Sequence, residues 1–127
     1  MMVAGIGCRT GATADAVGEA IAAALERCCL SRSQIDALAT ETVKSTERGI
    51  VATAQSMAVP LVFVSHSEMG LVAGQALTSS PLVTALKGVP SVAETAALAA
   101  AGRTARLLGP RVTMATVTCA IAVGEGR

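Results

Sequence analysis

The chain has almost no aromatic residues: Phe63 is its single phenylalanine, and tryptophan and tyrosine are absent. Proteins that bind single-stranded nucleic acid stack the bases on aromatic side chains, and aromatic cages hold quaternary ammonium groups. One ring cannot build either kind of site. The composition therefore excludes both functions before any motif is considered.

An excess of charge of one sign is also missing. Ten lysines and arginines stand against nine aspartates and glutamates, which gives a formal net charge of +1. Proteins that bind nucleic acid or anionic membranes usually carry a clear basic excess. We therefore expect no nucleic-acid partner and no membrane partner.

Long hydrophobic runs are missing as well, although 52% of the residues are hydrophobic. The longest stretch without a charged residue, 69–86, is interrupted by glycines, serines, a glutamine and a proline. A membrane-spanning helix needs about 20 mainly apolar residues. Residues 1–6 have no basic segment and are too short for a signal peptide. The sequence predicts a cytoplasmic protein.

Residues that bind metals are few. Cys8, Cys28, Cys29 and Cys119 form no C-x-x-C pair, and His66 is the only histidine. One histidine is too few for a mixed zinc site. We expect no metal and no cofactor, and we expect the cysteines other than Cys8 to be buried as small apolar residues.

Short apolar runs alternate with helical periods along the chain, which at 127 residues has the length of one domain. This alternation is typical of a three-layer α/β/α sandwich with a mostly parallel sheet, here of about five strands. The final two strands are joined by a connection too short for a helical crossover, so we expect them to be antiparallel and the sheet to be mixed. The predicted strands are 2–6, 35–40, 61–64, 105–108 and 116–123.

A glycine-rich turn follows the first predicted strand and contains Gly5, Gly7, Cys8, Arg9 and Gly11. Ligands of open α/β sheets bind at the carboxyl ends of strands, and helix N-termini offer unpaired N–H groups to anions. Arg9 adds a guanidinium fork that suits a carboxylate or phosphate. The turn is a candidate anion site, with a plain strand-to-helix turn as the alternative.

A polar loop, 41–46, is predicted after the second strand. Thr40 precedes it, and Lys44 and Glu47 are three residues apart, so they can pair on a helical turn. A lysine and a carboxylate can also bind an acidic substrate and activate water. After the third strand, His66 lies in a second polar loop, where it is either a proton carrier or a surface residue.

Ser91 and Glu94 form the third constellation, in the sequence S-V-A-E. The spacing fits a capping box, in which the serine and glutamate side chains satisfy each other's backbone N–H groups at a helix start. That structural role accounts for both residues. Their alternative role is in ligand binding or catalysis.

The three segments occur in a characteristic order: a G-x-G-C-R-x-G turn at 5–11, a T-x-x-x-K-x-x-E-x-G segment at 40–49, and S-V-A-E at 91–94 before an alanine-rich helix. Together they resemble the CobE family of cobalamin (vitamin B12) biosynthesis, whose fold is also the C-terminal domain of CbiG. The resemblance covers almost the whole chain. It implies a single domain, 1–127, of the stand-alone CobE type.

This resemblance implies a precorrin as the ligand, that is, a tetrapyrrole edged by acetate and propionate carboxylates. It also allows other enzymes of the corrin pathway as partners, and the alanine-rich helices permit a homodimer. The substrate-binding residues that we predict are Gly5, Gly7, Cys8, Arg9, Gly11, Thr40, Lys44 and Ser91.

Two functions follow from the resemblance. The first is a binding module that carries or protects an unstable precorrin. The second is a precorrin hydrolase that opens a ring lactone, as CbiG does on cobalt-precorrin 5A, with Lys44 and either Glu47 or Glu94 as the acid/base pair. No set of nucleophile, base and orienting residue is recognisable, which favours the carrier.

A dinucleotide-binding protein is the remote alternative. The glycine spacing, G-x-G-x-x-x-G, is one residue longer than the dinucleotide fingerprint, and Glu41 lies 30 residues beyond Gly11. The fingerprint places its acidic residue about 20 residues on. Both spacings argue against this function.

Overall fold

The computed structural model describes all residues, 1–127, as six strands and five helices. The strands are β1 (Met2–Cys8), β2 (Ala37–Glu41), β3 (Leu61–Val64), β4 (Arg106–Leu107), β5 (Val112–Met114) and β6 (Val117–Val123). The helices are α1 (Ala14–Arg27), α2 (Arg48–Met57), α3 (His66–Leu71), α4 (Pro81–Lys87) and α5 (Val92–Ala101).

The strands form one mixed sheet in the order β3-β2-β1-β6-β4, and β5 also pairs with β6. The β1–β2 and β2–β3 pairs are parallel, whereas β6 is antiparallel to β1, β4 and β5. Only β6 therefore runs against the other strands. This confirms the mostly parallel, mixed sheet and the antiparallel pairing of the last two predicted strands.

Helices cover both faces of the sheet, as the three-layer prediction requires. On one face, Val17 and Ile21 of α1 and Ile50 of α2 pack against Ile6 and Leu38 of the sheet. On the other face, α5 and Met69 of α3 pack against a second set of strand residues: Val3, Ala37, Ala39, Val64 and Ala122. No helix is both long and apolar enough to cross a membrane.

Several helix ends follow the local sequence signals. Ser80 caps α4 with Pro81 at its first turn, Ser91 caps α5, and α5 ends at Gly102. Serine N-caps accept a backbone N–H that would otherwise lack a partner. Ser31 starts a single 3-10 turn, Arg32–Gln34, with a complete capping box. The predicted helix start at Ser91 is confirmed.

The sequence misplaced three segments of the sheet. β1 was expected to end at residue 6, but it extends to Cys8, so Gly7 and Cys8 are strand residues that pair with β6 rather than turn residues. Glu41 was expected in a loop, but it ends β2 and pairs with Val64 in the parallel ladder. The segment expected to connect the last two strands contains β5, which pairs only with β6. A charged strand end and a three-residue edge strand both lack the apolar pattern by which strands are recognised.

The cysteines are all free thiols, and only Cys119 is fully buried. Cys28 is half-buried and Cys29 is exposed, so the expectation that both are buried was wrong. Both lie just after the end of α1, and Cys29 has a left-handed backbone with φ of 57°. The chain leaves the helix there, which takes Cys29 off the buried stripe of α1.

Burial raises the pKa of the Cys119 thiol far above its ordinary value of 9.0. Its contribution to stability is therefore complete below pH 9, where the thiol is neutral in both states, and is lost as pH rises and the unfolded thiol ionises. We expect the free energy of unfolding of Cys119→Ala to fall less steeply above pH 9 than that of the parent, by up to about 1.4 kcal/mol per pH unit. Urea unfolding between pH 8 and pH 10.5 measures this. Cys29→Ala is the matched control and keeps the parent's slope; identical slopes in all three proteins would contradict the prediction.

Candidate functional site

An open cleft of about 370 Å³ lies at the carboxyl ends of β1 and β2, between the sheet and α4. Gly7 and Cys8 at the end of β1, and Glu41 at the end of β2, line it. Its volume is in the usual range for small-molecule sites. The cleft occupies the position where α/β sheets of this kind bind ligands.

Three cationic side chains from distant parts of the sequence line this cleft: Arg9 after β1, Lys87 at the end of α4, and Arg111 before β5. Arg9 and Arg111 form no ion pair within the chain. The cleft is therefore locally positive although the net charge of the chain is only +1. Guanidinium groups without internal partners are suited to bind carboxylates.

One wall of the cleft is apolar and comes mainly from α4. Leu82 and Leu86 line the cleft and remain 68% and 70% exposed. Val83 and Val92 continue this wall towards α5. Exposed leucines on one short helix cost free energy in water unless a ligand or partner covers them.

Glu41 is a buried carboxylate, 1% exposed, among these cations. Its Oε1 lies 3.0 Å from Lys87 Nζ, and its Oε2 lies 3.7 Å from Nε2 of His66. Oε2 accepts no hydrogen bond. A buried carboxylate oxygen without a hydrogen bond costs free energy, which makes Glu41 a candidate for a role in ligand binding or catalysis.

Glu94 is buried beneath the loops that flank the cleft, and its carboxylate accepts four hydrogen bonds. Oε1 accepts from the N–H groups of Leu77 (3.1 Å) and Thr78 (2.8 Å); Oε2 accepts from the Thr78 hydroxyl (2.8 Å) and the Arg111 N–H (2.9 Å). The expected capping box is therefore only half formed: Ser91 accepts from the Glu94 N–H (3.3 Å), but the carboxylate does not return to Ser91. It fixes the chain before α4 and the backbone of Arg111.

One N–H group of the glycine-rich turn already has a hydrogen-bond partner within the protein. The Gly11 N–H, at a residue with φ of +84°, donates to Oε1 of Glu47 (2.8 Å). Gly5 lies in β1 under α5, where a Cβ would meet the backbone of Ala93 and Ala97. Of the predicted turn residues, Gly7, Cys8 and Arg9 line the cleft, and Gly5 and Gly11 do not.

Lys44 and Glu47 lie beside Cys8 but do not form an ion pair with each other. Burial raises the pKa of the Cys8 thiol, Lys44 opposes this rise, and the carboxylates of Glu47 and Glu41 add to it. The Cys8 thiol is therefore neutral near pH 7. Lys44 and Glu47 do not line the cleft.

Thr40 and Ser91 are fully buried and have internal hydrogen bonds. The Thr40 hydroxyl donates to the carbonyl oxygen of Ile6 (2.9 Å), which ties β2 to β1. Ser91 caps α5. The structure thus places both residues near the cleft in supporting positions and gives neither an open polar atom towards it.

The sequence missed three charged residues of the cleft as site candidates: Glu41, Lys87 and Arg111. Glu41 lies within the 40–49 segment, at a position that its pattern leaves open, whereas Lys87 and Arg111 lie outside the motifs and only the fold brings them to the end of β1. One signal was available, because Lys87 is one of only two lysines in the chain. No local pattern pointed to Arg111.

Comparison with known proteins agrees with this architecture. A sequence model of the family described as Cobalamin synthesis G C-terminus matches residues 2–122. No curated protein sequence matches the chain.

Several solved structures resemble the whole chain. CobE, a protein from the cobalamin (vitamin B12) biosynthetic pathway, is 30% identical, with a TM-score of 0.92 over 100% of this chain and 92% of that one. The cobalamin biosynthesis protein chiG from Agrobacterium tumefaciens str. C58 is 36% identical, with a TM-score of 0.79 over 98% of this chain and 99% of that one.

A cobalamin biosynthesis protein G homologue from Sulfolobus solfataricus is 27% identical, with a TM-score of 0.70; the match covers 99% of this chain but only 37% of that one. The family match spans nearly the whole sequence, and the similarity to CobE and chiG extends over both chains. The chain therefore belongs to the CobE/CbiG C-terminal family of cobalamin biosynthesis proteins.

Proposed function

We propose that this cobalamin biosynthesis protein binds a precorrin in the cleft at the end of β1 and carries or protects it without changing it. The observation that supports this proposal is the combination of Arg9, Lys87 and Arg111 with the exposed leucine wall of α4. A precorrin presents the complementary surface, because carboxylates edge a large and mostly apolar ring.

The size of the cleft indicates how such a ring binds. A volume of about 370 Å³ accommodates one edge of a tetrapyrrole rather than enclosing all of it. The acetate and propionate groups of that edge would reach the two arginines, while one face of the ring would cover Leu82 and Leu86. Covering these leucines removes apolar surface from water, and the arginines fix the orientation.

Replacement of the arginines tests this binding mode. We expect Arg9→Ala and Arg111→Ala each to weaken precorrin binding about tenfold, which corresponds to one lost charged hydrogen-bonded contact of about 1.4 kcal/mol. Anaerobic titration followed by the visible spectrum of the ring measures the affinity.

Arg32→Ala is the control for charge alone, since Arg32 is exposed in the 3-10 turn that precedes β2, at the other end of that strand. We expect its affinity to equal that of the parent. Equal losses in all three variants would indicate non-specific attraction, and unchanged affinity in Arg9→Ala and Arg111→Ala would exclude the clamp.

The second candidate function is a precorrin lactone hydrolase, and Glu41 favours it as a buried carboxylate oxygen without a hydrogen bond at the cleft. The sequence proposed Lys44 with Glu47 or Glu94 as its acid/base pair. Glu94 accepts four hydrogen bonds from the protein, and Glu47 accepts one from Gly11. These contacts support positioning roles more than proton transfer, which is why the carrier is preferred.

The same proposal includes a cytoplasmic location and transfer of the ring to other enzymes of the corrin pathway. A homodimer is a further prediction that rests on the alanine-rich helices. Size-exclusion chromatography with light scattering at several concentrations measures the oligomeric state directly.

A further inference from the structure

The ion pair between Glu41 and Lys87 is unusual in a cleft built for anions. Lys87 is the only one of the three cleft cations that already has an internal anionic partner. That partner is buried and keeps one oxygen, Oε2, without a hydrogen bond. The cleft therefore contains a lysine that is already paired and a carboxylate with one oxygen that lacks a hydrogen bond.

The helix that carries Lys87 packs on the core only through the partly buried Val83. No residue of α4 is buried, whereas the segments on either side of it are fixed. Before α4, the backbone of Thr78 is held by Glu94; after it, Gly88 has a left-handed backbone and Val89 is buried. The ion pair to Glu41 is thus a main connection between the C-terminal turn of α4 and the sheet.

We propose that the Glu41–Lys87 ion pair is a latch: a ligand carboxylate takes Lys87 from Glu41, His66 replaces Lys87 as the partner of Glu41, and binding therefore takes up one proton. This inference rests on the proposed binding of a tetrapyrrole carboxylate in the cleft. It adds Lys87 as a group that recognises the ligand, and it predicts that one proton is taken up when the ligand binds.

The replacement of Lys87 follows from the cost of burying an unpaired charge. A buried carboxylate that loses its cation must find another one or bind a proton. His66 is the only other basic group within 4 Å of Glu41, and at 53% exposure its ring can exchange protons with water. An ordinary imidazole is half protonated near pH 6.5, so a neighbouring carboxylate that has lost its lysine partner can recruit the proton near neutral pH.

The other charged groups around Glu41 do not take the place of Lys87 as its partner. Arg9 and Arg111 line the cleft and serve the ligand, and Lys44 is near Cys8. Glu68, on the same helix as His66, forms an ion pair with Arg127.

Three further groups near the cleft also stay out of the exchange. Glu47 accepts the N–H of Gly11, and Glu94 accepts four hydrogen bonds from the protein. Burial raises the pKa of the Cys8 thiol, so the thiol stays protonated at neutral pH.

The carboxylates of the ring are ionised above about pH 5, so they do not contribute to the pH dependence.

The test measures precorrin affinity by anaerobic spectral titration between pH 6 and pH 8.5. We expect the dissociation constant of the parent to rise with pH, by up to about tenfold per pH unit above the ordinary imidazole range, because one proton is bound with the ligand. His66→Gln should remove this slope. Glu41→Gln should remove the slope and bind the ring more tightly than the parent, because Lys87 is no longer masked.

A second readout does not depend on affinity. His66 is the only histidine, so its imidazole signals in a nuclear magnetic resonance spectrum are unambiguous. Saturation with the ring should move the midpoint of its titration to higher pH. An unmoved midpoint would overturn the latch.

The outcomes separate the latch from the proposed function. Ring binding that is independent of pH, or weaker binding by Glu41→Gln, would overturn the latch and leave the carrier function standing. Absence of ring binding by the parent protein at every pH would overturn the proposed function and the latch with it.

Discussion

Replacing Glu94 by alanine lowers the free energy of unfolding by about 3–5 kcal/mol, because its carboxylate is fully buried and accepts four hydrogen bonds. The substitution leaves the N–H groups of Leu77, Thr78 and Arg111 without their acceptor. These three groups hold together the loops on either side of the cleft. Urea unfolding at pH 7 measures the loss.

Two milder substitutions show whether the hydrogen bonds or the volume of Glu94 cause the effect. Glu94→Gln keeps the shape but presents an amide N–H₂ group to donors at one end, so we expect a loss of about 1–3 kcal/mol. Thr78→Val removes only the hydroxyl contact, and we expect about 1 kcal/mol. If Glu94→Gln is as stable as the parent, the network does not support the cleft as described.

Gly5→Ala is expected to destabilise the fold by about 3 kcal/mol, which is the upper end of the usual range for overpacking. A Cβ at this position would lie against the carbonyl oxygen of Ala93 and within 2.7–2.8 Å of the backbone nitrogen and Cβ of Ala97. They are two backbone atoms and one Cβ atom of α5. Neither β1 nor α5 can relieve the clash by rotating a side chain, so the whole helix must move away from the sheet.

Gly18→Ala is the matched control for Gly5→Ala. Gly18 lies within α1, and a Cβ there would meet nothing within 4 Å. Alanine is the better helix former, so we expect this variant to gain about 0.5–1 kcal/mol. Thermal and urea unfolding compare the two variants. A Gly5→Ala protein as stable as the parent would mean that α5 does not pack on β1 as closely as described.

The sequence predicted the three-layer fold because its signals are local. The apolar run at 61–64 and the serine cap before α5 each depend on residues close to one another in the chain. Their periodicity and capping chemistry predict the same elements that the fold contains. The alternation of strands and helices then determines the class of the sheet.

The site was predicted less completely because most of its contacts join distant parts of the chain. The S-x-x-E pattern correctly indicated the cap at Ser91, but the carboxylate of Glu94 binds residues 16 and 17 positions away. Glu41 looked like a loop residue because a charged side chain seldom ends a buried strand. Lys87 reaches Glu41 only because the fold brings the end of α4 close to the end of β2, and no local pattern describes that contact.

The central claim is that the cleft binds a precorrin and leaves it chemically unchanged. The most direct measurement is anaerobic incubation of the purified protein with precorrin intermediates made enzymatically, following the ultraviolet–visible spectrum of the ring and the mass of the recovered tetrapyrrole. The account predicts a saturable spectral shift with at least one intermediate, weakened in Arg9→Ala and Arg111→Ala, and an unchanged mass. A change of mass under turnover would contradict the carrier function in favour of the hydrolase, and no shift with any intermediate would contradict binding in the cleft.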